Sequence, residues 1–234
     1  MISVCLIILP APHLKEPKRN APLGVLYLAA ALRESIAGVS ITDLRGVSEN
    51  DWLKLIPDAL SYGISATSVE YPLATKLASM LQRRRKVPVV LGGVHATVTK
   101  SANGFSSVVK GEAEITAFKI FGDAIWGTLE KEYLGELPDI DKLPMPARDM
   151  LHFDAWANKE IVRGHLGTSV LGSRGCPYRC DYCSEPKIFG RKVRFRTPEL
   201  VAGEIAYLKC RYGITGFRFH DDLLTLKQSW LEKL

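Results

Sequence analysis

Short apolar runs alternate with helical patterns along residues 1–125, and this alternation limits the fold of the chain more than any other feature. Residues 2–9 are continuously apolar, as expected for a parallel strand covered on both faces. Strand-like runs recur at 39–44, 62–66, 87–91 and 106–109. Helical patterns lie between them at 23–32, at 51–60 and around Leu73, Leu77, Met80 and Leu81. Strands and helices in this order predict an α/β domain with a doubly wound parallel sheet.

Small or polar residues follow the carboxyl ends of the predicted strands, where doubly wound sheets bind their ligands. The residues that we single out at these ends are Ser65, Thr67, Gly92, Gly93, Gly111 and Glu112. Glycines and small hydroxyls let a bulky ligand approach the backbone closely, although a Gly-Gly pair also serves simply to turn the chain after a strand. No GxGxxG pattern follows the first strand, which disfavours a NAD site.

The composition of the sequence changes after residue 136. Pro138, Pro144 and Pro146 fall within a short stretch, which is typical of an extended and semi-rigid connection. We therefore predict a first domain of residues 1–136, a Pro-rich linker of residues 137–165 and a second domain of residues 166–234.

Three of the five cysteines form the motif Cys176-x3-Cys180-x2-Cys183 in a polar loop that contains Gly and Pro. Zinc sites use four protein ligands in paired groups, and this sequence has no second pair, because Cys210 and His220 are isolated. Three cysteines at this spacing suit a [4Fe–4S] cluster that leaves one iron open. A zinc module and a chance cluster of core cysteines remain as the alternatives.

The cysteine motif, with Tyr182 directly before its third cysteine, resembles the signature of the radical S-adenosylmethionine (SAM) family. Other segments resemble the subgroup with an N-terminal cobalamin (B12)-binding domain, and they occur in the subgroup's order. These segments are PLGVLYLAAAL at 22–32, GGVHAT at 92–97, GEAE at 111–114, LPMPARD at 143–149, SRG at 173–175, VRFRTPE at 193–199 and FRFHDD at 217–222.

This resemblance implies a Rossmann-like domain of the cobalamin-binding type, followed by the first β/α units of a partial TIM-type radical SAM barrel. Cys176, Cys180 and Cys183 would each bind one iron of a [4Fe–4S] cluster, and the fourth iron would chelate SAM. One electron from the reduced cluster would split SAM into methionine and a 5′-deoxyadenosyl radical.

The resemblance also implies roles for other residues. Tyr182 would lie beside the adenine of SAM, and Asp221 and Asp222 would contact its methionyl amino group. From the residues alone, the Asp-Asp pair serves equally well to cap a following helix. The strand-end residues singled out above would face a corrin if cobalamin is bound.

Two features depart from the family pattern. Some cobalamin proteins ligate cobalt through the histidine of a DxHxxG motif after the first strand, whereas this loop carries His13 without the motif. His13 is either a lower ligand or, as we favour, a solvated loop residue. The family barrel also continues for further β/α units beyond the point at which this chain reaches Leu234.

The expected function is radical chemistry on a small-molecule substrate, such as methylation or ring rearrangement in biosynthesis. An electron donor such as flavodoxin or ferredoxin is implied, and a second chain that supplies the rest of the barrel fits the short length. The alternative is a non-catalytic protein that holds an iron–sulfur cluster or a corrin, or one half of a split enzyme.

Charge and cysteine content bear on partners and compartment. The formal net charge is +6, and residues 151–234 carry 14 basic and 9 acidic side chains. An anionic cluster and the SAM carboxylate would favour positive surroundings and account for much of this excess, and with no nucleic-acid motif an RNA partner is disfavoured. Clustered thiols and the lack of a signal peptide or an apolar span predict a cytoplasmic protein without a membrane segment.

Overall fold

The structure is a computed structural model that describes residues 2–99 and 102–234, apart from the side chains of Ile2 and Glu160. Its first part is a six-stranded sheet in the order β2-β1-β3-β4-β5-β6, in which all neighbours are parallel. The strands are β1 (Ile2–Ile8), β2 (Val39–Asp43), β3 (Ala59–Ser65), β4 (Val89–Gly92), β5 (Ser107–Lys110) and β6 (Glu132–Leu134). Because the strand order reverses at β1, the carboxyl ends of β1 and β3 border the point where such sheets bind ligands.

Helices cover both faces of this sheet, which confirms the doubly wound α/β prediction. They are α1 (Leu23–Arg33), α2 (Trp52–Leu55), α3 (Tyr71–Arg85), α4 (Val94–Val98) and α5 (Ala117–Trp126). Successive residues of β1 point to opposite faces, so Leu6 packs with α1 and α5 whereas Ile7 packs with α2 and α3. The continuous apolar run of β1 therefore serves two separate cores.

One predicted helix is much shorter than expected. The pattern at 51–60 predicts a helix throughout, but α2 ends at Leu55 and β3 begins at Ala59. Pro57 explains the break, because a residue that precedes proline is driven out of the helical region, and Ile56 is extended at ψ 118°.

The second part begins a β/α barrel. Strand β8 (His165–Val170) lies between β7 (Ala157–Val162), which is antiparallel to it, and β11 (Gly216–Phe219), which is parallel. Helix α7 (Pro198–Tyr212) connects β8 to β11, and its Leu208 packs with Val170 and Ile214. Strand β7 forms within the predicted Pro-rich linker, where the proline pattern gives no sign of it.

The residues at the ends of α7 are ones that favour the start and the end of a helix. Thr197 is extended at the N-cap, Pro198 is the first helical residue, and Gly213 ends the helix in the left-handed conformation at φ +68°. The remaining elements are the short strands β9 (Ser173–Arg174) and β10 (Arg194–Phe195) and the helices α6 (Glu185–Ile188) and α8 (Gln228–Leu231).

Across the described residues, every helix is too short or too polar to cross a lipid bilayer.

Candidate functional site

A cavity of about 590 Å³ lies between the carboxyl edge of the six-stranded sheet and the first strands of the barrel. The sheet side of its wall comes from the ends of β3, β4 and β5, and the barrel side from β9, α6 and the end of β11. The cavity lies where both architectures bind ligands, since barrels also place their sites beyond the carboxyl ends of their strands.

The cavity brings the predicted strand-end residues together. Ser65, Thr67, Gly92, Gly93, Gly111 and Glu112 all line it. A Cβ atom added at Gly92 would have no atom within 4 Å, so the backbone there is open to a ligand. Gly93 differs, because its φ is +89° and an added Cβ would lie 2.6 Å from the Ser65 hydroxyl oxygen. The Gly-Gly pair thus combines an open approach with a tight turn.

The inner end of the cavity is apolar. It extends between the sheet and the helices α1 and α5, where its walls are formed by Leu6, Gly63, Val90, Val109 and Phe121. Leu6 and Phe121 pack directly against Gly63, because a Cβ atom there would lie 2.7 Å from Leu6 Cδ2 and 2.9 Å from Phe121 Cζ. The inner end is therefore lined by apolar side chains, while the mouth of the cavity carries the polar and charged side chains.

Glu112 lines the cavity, but its carboxylate is already bound by arginines. Arg174 Nη1 donates to Glu112 Oε2 at 2.6 Å and to Glu114 Oε1 at 2.7 Å, and Arg194 Nη2 donates to Glu112 Oε1. The side chain of Glu112 is only 2% exposed. Its role in this structure is therefore an ion pair across the two parts of the chain.

The cysteine loop is closed firmly at its base. Strands β9 and β10 pair in an antiparallel ladder there, and the Cys176 amide donates to the carbonyl of Gly190 at 3.2 Å. Gly175 adopts φ +97°, and a Cβ atom on it would lie 2.5 Å from the Lys192 carbonyl oxygen, so glycine is required. Within the loop, the Cys183 amide donates to the Cys180 carbonyl at 3.1 Å, which forms a turn.

The three thiols lie on this one loop, and their positions leave the ligand assignment a prediction. Cys176 and Cys183 are half-buried, whereas Cys180 is exposed. Among the described residues, no three Cys, His, Asp or Glu side chains are grouped as a metal site. The donor set nonetheless fits an iron–sulfur cluster, because three soft thiolate ligands within eight residues are held in a loop with a rigid base.

Tyr182 lies outside the cavity lining and is 92% exposed. Its pKa is raised, chiefly by the neighbouring thiol of Cys180. Its proposed place beside an adenine therefore remains a prediction.

Asp221 and Asp222 both line the cavity, but their surroundings differ. Asp221 accepts hydrogen bonds from the Gly172 amide at 3.0 Å and from the Ser173 hydroxyl at 2.6 Å, so it braces the base of the cysteine loop rather than capping a helix. Burial raises its pKa, against the lowering effect of these hydrogen bonds. Asp222 is exposed to the cavity and lies near Glu185, whose pKa is raised to about 7 by burial and by the Asp222 carboxylate.

Sequence reasoning missed several residues of this site. Arg218 and His220 line the cavity, and their position on one face of a strand was the available signal. The sequence does not mark Glu185 as a site residue, because its proximity to Asp222 depends on the tertiary fold. His13, the alternative cobalt ligand, is exposed and lies outside the residues that line the cavity.

Fold and site together define a two-part α/β protein with a ligand cavity between a doubly wound sheet and the start of a β/α barrel. The B12 binding domain family matches residues 17–120. Residues 17–120 therefore carry a domain of the B12-binding type, and the chain as a whole is similar to radical SAM proteins of the subgroup with an N-terminal cobalamin-binding domain.

Two curated proteins and one solved structure illustrate the likeness. The "Uncharacterized methyltransferase PH0819" of Pyrococcus horikoshii is 34% identical over 238 residues, which cover 88% of this chain and 50% of that protein. The "Anaerobic magnesium-protoporphyrin IX monomethyl ester cyclase" of Synechocystis is 24% identical over 97% of this chain and 51% of its own length. The structure of the radical SAM methyltransferase TsrM from Kitasatospora setae matches with a TM-score of 0.71 at 20% identity, over 97% of this chain and 49% of that one.

The chain spans about half the length of the curated relatives it matches. The similarity to TsrM shows the fold of both parts, which confirms that the cobalamin-binding type of sheet is followed by the beginning of a radical SAM barrel.

Proposed function

We propose that this chain is the cofactor-binding part of a cobalamin-dependent radical SAM enzyme, with methyl transfer to a small molecule as its reaction. One observation carries the proposal: a single cavity is lined both by the glycine-rich edge of the B12-type sheet and by the barrel residues Asp221 and Asp222. Methyl transfer is favoured over ring rearrangement because the relative at 34% identity is named a methyltransferase.

Cys176, Cys180 and Cys183 are the proposed ligands of a [4Fe–4S] cluster. When held there, such a cluster would supply the electron for cleavage of SAM. The protein contributes the geometry of the loop, because the β9–β10 ladder and the Asp221 contacts fix the chain directly before Cys176.

The SAM site in this proposal uses Tyr182 and Asp222. Asp222 carries an exposed carboxylate at the cavity, which can accept hydrogen bonds from an ammonium group. Asp221 supports the site indirectly, because its carboxylate oxygens already accept hydrogen bonds from Gly172 and Ser173.

The corrin in this proposal lies against Ser65, Thr67, Gly92, Gly93 and Gly111. The open backbone at Gly92 and the apolar inner end of the cavity suit a large ring with apolar faces. The polar hydroxyls of Ser65 and Thr67 line the same mouth and suit hydrogen bonds to the amide groups at a corrin's rim.

Two partners complete the proposal. A flavodoxin or ferredoxin would supply electrons, and a further chain segment or second protein would add the remaining β/α units beside β11, which is an edge strand of the three-stranded sheet. We place the protein in the cytoplasm, since clustered free thiols persist in a reducing compartment.

Anaerobic reconstitution with iron and sulfide tests the proposal directly. We expect about four irons and four sulfides per chain. Cys176→Ala, Cys180→Ala and Cys183→Ala should each abolish the cluster, whereas Cys210→Ala, which removes an exposed thiol elsewhere, should not. Stoichiometric zinc without sulfide would instead support a zinc module and contradict the proposal.

Turnover separates the enzyme from a non-catalytic carrier. With dithionite and SAM, the reconstituted protein should release 5′-deoxyadenosine or S-adenosylhomocysteine, and supplied cobalamin should bind at one per chain. A fully loaded cluster and corrin without either product, even after the remaining barrel is supplied, would favour the binding protein.

A further inference from the structure

Glu112 is the centre of a buried ion-pair network that joins the two parts of the chain. It lies in the loop after β5 at the edge of the sheet, and its partners Arg174 and Arg194 lie on β9 and β10. The side chains of Glu112, Arg174 and Arg194 are 2%, 5% and 14% exposed. Glu114 adds a second carboxylate to Arg174 at 2.7 Å.

The two arginines occupy the two strands at the base of the cysteine loop. Arg174 and Arg194 are paired across the β9–β10 ladder, and Arg174 is two residues before Cys176. Arg194 Nη1 also donates to the Pro138 carbonyl at 2.9 Å, and Arg194 Nη2 to the Phe189 carbonyl at 3.0 Å. One carboxylate thus holds both strands from which the loop emerges.

The backbone of Glu112 is itself fixed from the opposite side. Gly111, which precedes it, adopts φ +85°, and the Gly135 amide donates to the Lys110 carbonyl at 2.7 Å. A Cβ atom on Gly135 would overlap the carbonyl oxygen of Glu112, so glycine at 135 lets the chain pass directly against this loop. The carboxylate therefore has a rigid origin at the edge of the sheet.

Such a network contributes geometry more than stability. Burying charges costs desolvation energy that their attraction only partly returns, so a buried ion pair adds little over apolar packing. Removing Glu112, however, leaves Arg194 buried without its carboxylate partner and leaves Arg174 with Glu114 alone, which makes the arrangement sensitive to a single change.

We propose that Glu112 is a positioning residue that, through Arg174 and Arg194, holds the base of the cysteine loop against the sheet edge and so sets the separation of cluster and corrin. The statement about the loop depends only on the ion pairs. The statement about cluster and corrin rests on the proposed function.

Hydrogen exchange on the full chain, measured by mass spectrometry without cofactors, tests the first statement. In Glu112→Gln, amides of residues 172–194 should exchange about tenfold faster, the factor expected when a charge-assisted hydrogen bond is lost. Unchanged exchange in this segment would overturn the proposal. Glu112→Asp keeps the charge, but its side chain is too short to reach both arginines, so we expect a smaller increase in the exchange rate of residues 172–194. If Glu112→Gln does not fold, the exchange rate in Glu112→Asp tests the proposal instead.

Glu204→Gln is the matched control. Glu204 is also 2% exposed and also pairs with two arginines, Arg148 at 3.1 Å and Arg196 at 2.6 Å, but it lies on α7 and neither of these arginines belongs to the β9–β10 ladder. Loss of the Glu204 charge should speed amide exchange around α7. The exchange rate of residues 176–190 divided by that of residues 198–212 should therefore be lower in Glu204→Gln than in Glu112→Gln. Equal ratios in the two variants would mean that Glu112 acts only on global stability.

Pulsed electron paramagnetic resonance tests the second statement. The protein is loaded with cob(II)alamin and a reduced cluster. The magnetic coupling between the two centres should then become weaker, or its distribution wider, in Glu112→Gln and in Gly135→Ala, but not in Glu204→Gln. Coupling that stays at the wild-type value despite a loosened loop would overturn the positioning role. A wild-type chain that binds neither centre would contradict the proposed function, while the exchange result would still decide the first statement.

Discussion

The Ser173 hydroxyl donates a hydrogen bond of 2.6 Å to Asp221 Oδ1, which joins the end of one barrel strand to the start of the cysteine loop. The two residues are 48 positions apart, and the Gly172 amide adds a second donor to the same carboxylate. Asp221 is therefore a structural neighbour of the loop, whereas the adjacent Asp222 faces the cavity. The Asp-Asp pair divides into two roles that the sequence presents as one.

Substitution should separate these two roles. Asp221→Ala removes the acceptor of the hydrogen bonds from Gly172 and Ser173, and the two donors left unpaired should lower the free energy of unfolding by about 1–3 kcal/mol. Asp222→Asn changes an exposed side chain and should alter stability by less than about 0.5 kcal/mol. On the reconstituted protein, Asp222→Asn should weaken SAM binding about tenfold, the loss of one charge-assisted hydrogen bond. Urea denaturation and equilibrium dialysis measure the two effects, and equal stability losses would refute the division.

The two neighbouring glycines of the sheet edge should respond in opposite ways to alanine. Gly93→Ala places a side chain at φ +89° and within 2.9 Å of the Ala66 amide nitrogen, so we expect a loss of about 1–3 kcal/mol of stability. Gly92→Ala meets no atom within 4 Å and should fold normally, but its methyl group would enter the space proposed for the corrin. Thermal unfolding and cobalamin titration distinguish the variants. Tight cobalamin binding by Gly92→Ala would place the corrin elsewhere.

His95 gives the protein a defined sensitivity to acid. Its ring stacks on Tyr71 with centroids 3.9 Å apart, its Nδ1 lies 3.1 Å from the Ser68 hydroxyl oxygen, and burial lowers its pKa. Because the unfolded chain then takes up a proton at a higher pH than the folded chain, stability should fall as the pH drops below about 6.5.

The measurement is the free energy of unfolding at pH 7.5 and at pH 5. His95→Gln should reduce the difference between the two values, since glutamine does not titrate. His13→Gln, which changes an exposed histidine of a loop, serves as the control and should leave the difference as in the wild type. A pH dependence that is identical in His95→Gln and wild type would show that other groups are responsible.

The sequence predicted those parts of the structure that depend on local periodicity. The apolar run of β1 indicated a strand buried on both faces, and Leu6 and Ile7 do pack into different cores. Thr197, Pro198 and Gly213 at the ends of α7 are local signals of the same kind, because capping depends on residues next to one another in the chain.

Features that depend on distant residues could not be predicted in this way. Strand β6 is three residues long with exposed Glu132 and Leu134, so its pairing with β5 has no local signal. Glu112 and Arg174 are 62 positions apart, and their ion pair exists only because the sheet edge meets the barrel. The strand-end rule placed Glu112 at the cavity correctly, but it gave no information about which groups its carboxylate would bind.

Cluster assembly should protect the exposed part of the cysteine loop from proteolysis. Tyr178 and Tyr182 are 55% and 92% exposed, so chymotrypsin should cleave the cluster-free chain after these residues. A cluster bound by Cys176, Cys180 and Cys183 would tie three points of the loop to one centre, and cleavage should then slow at least about tenfold.

The controls for this experiment lie within the same chain. Cleavage after Trp126, which is 83% exposed on α5 and lies outside the cysteine loop, should proceed at the same rate with and without the cluster. Cys180→Ala, treated with iron and sulfide in the same way, should remain as susceptible as the cluster-free protein. Because protection depends on ligation by this loop, rapid cleavage after Tyr182 in protein with four irons per chain would mean that the iron is bound by other residues.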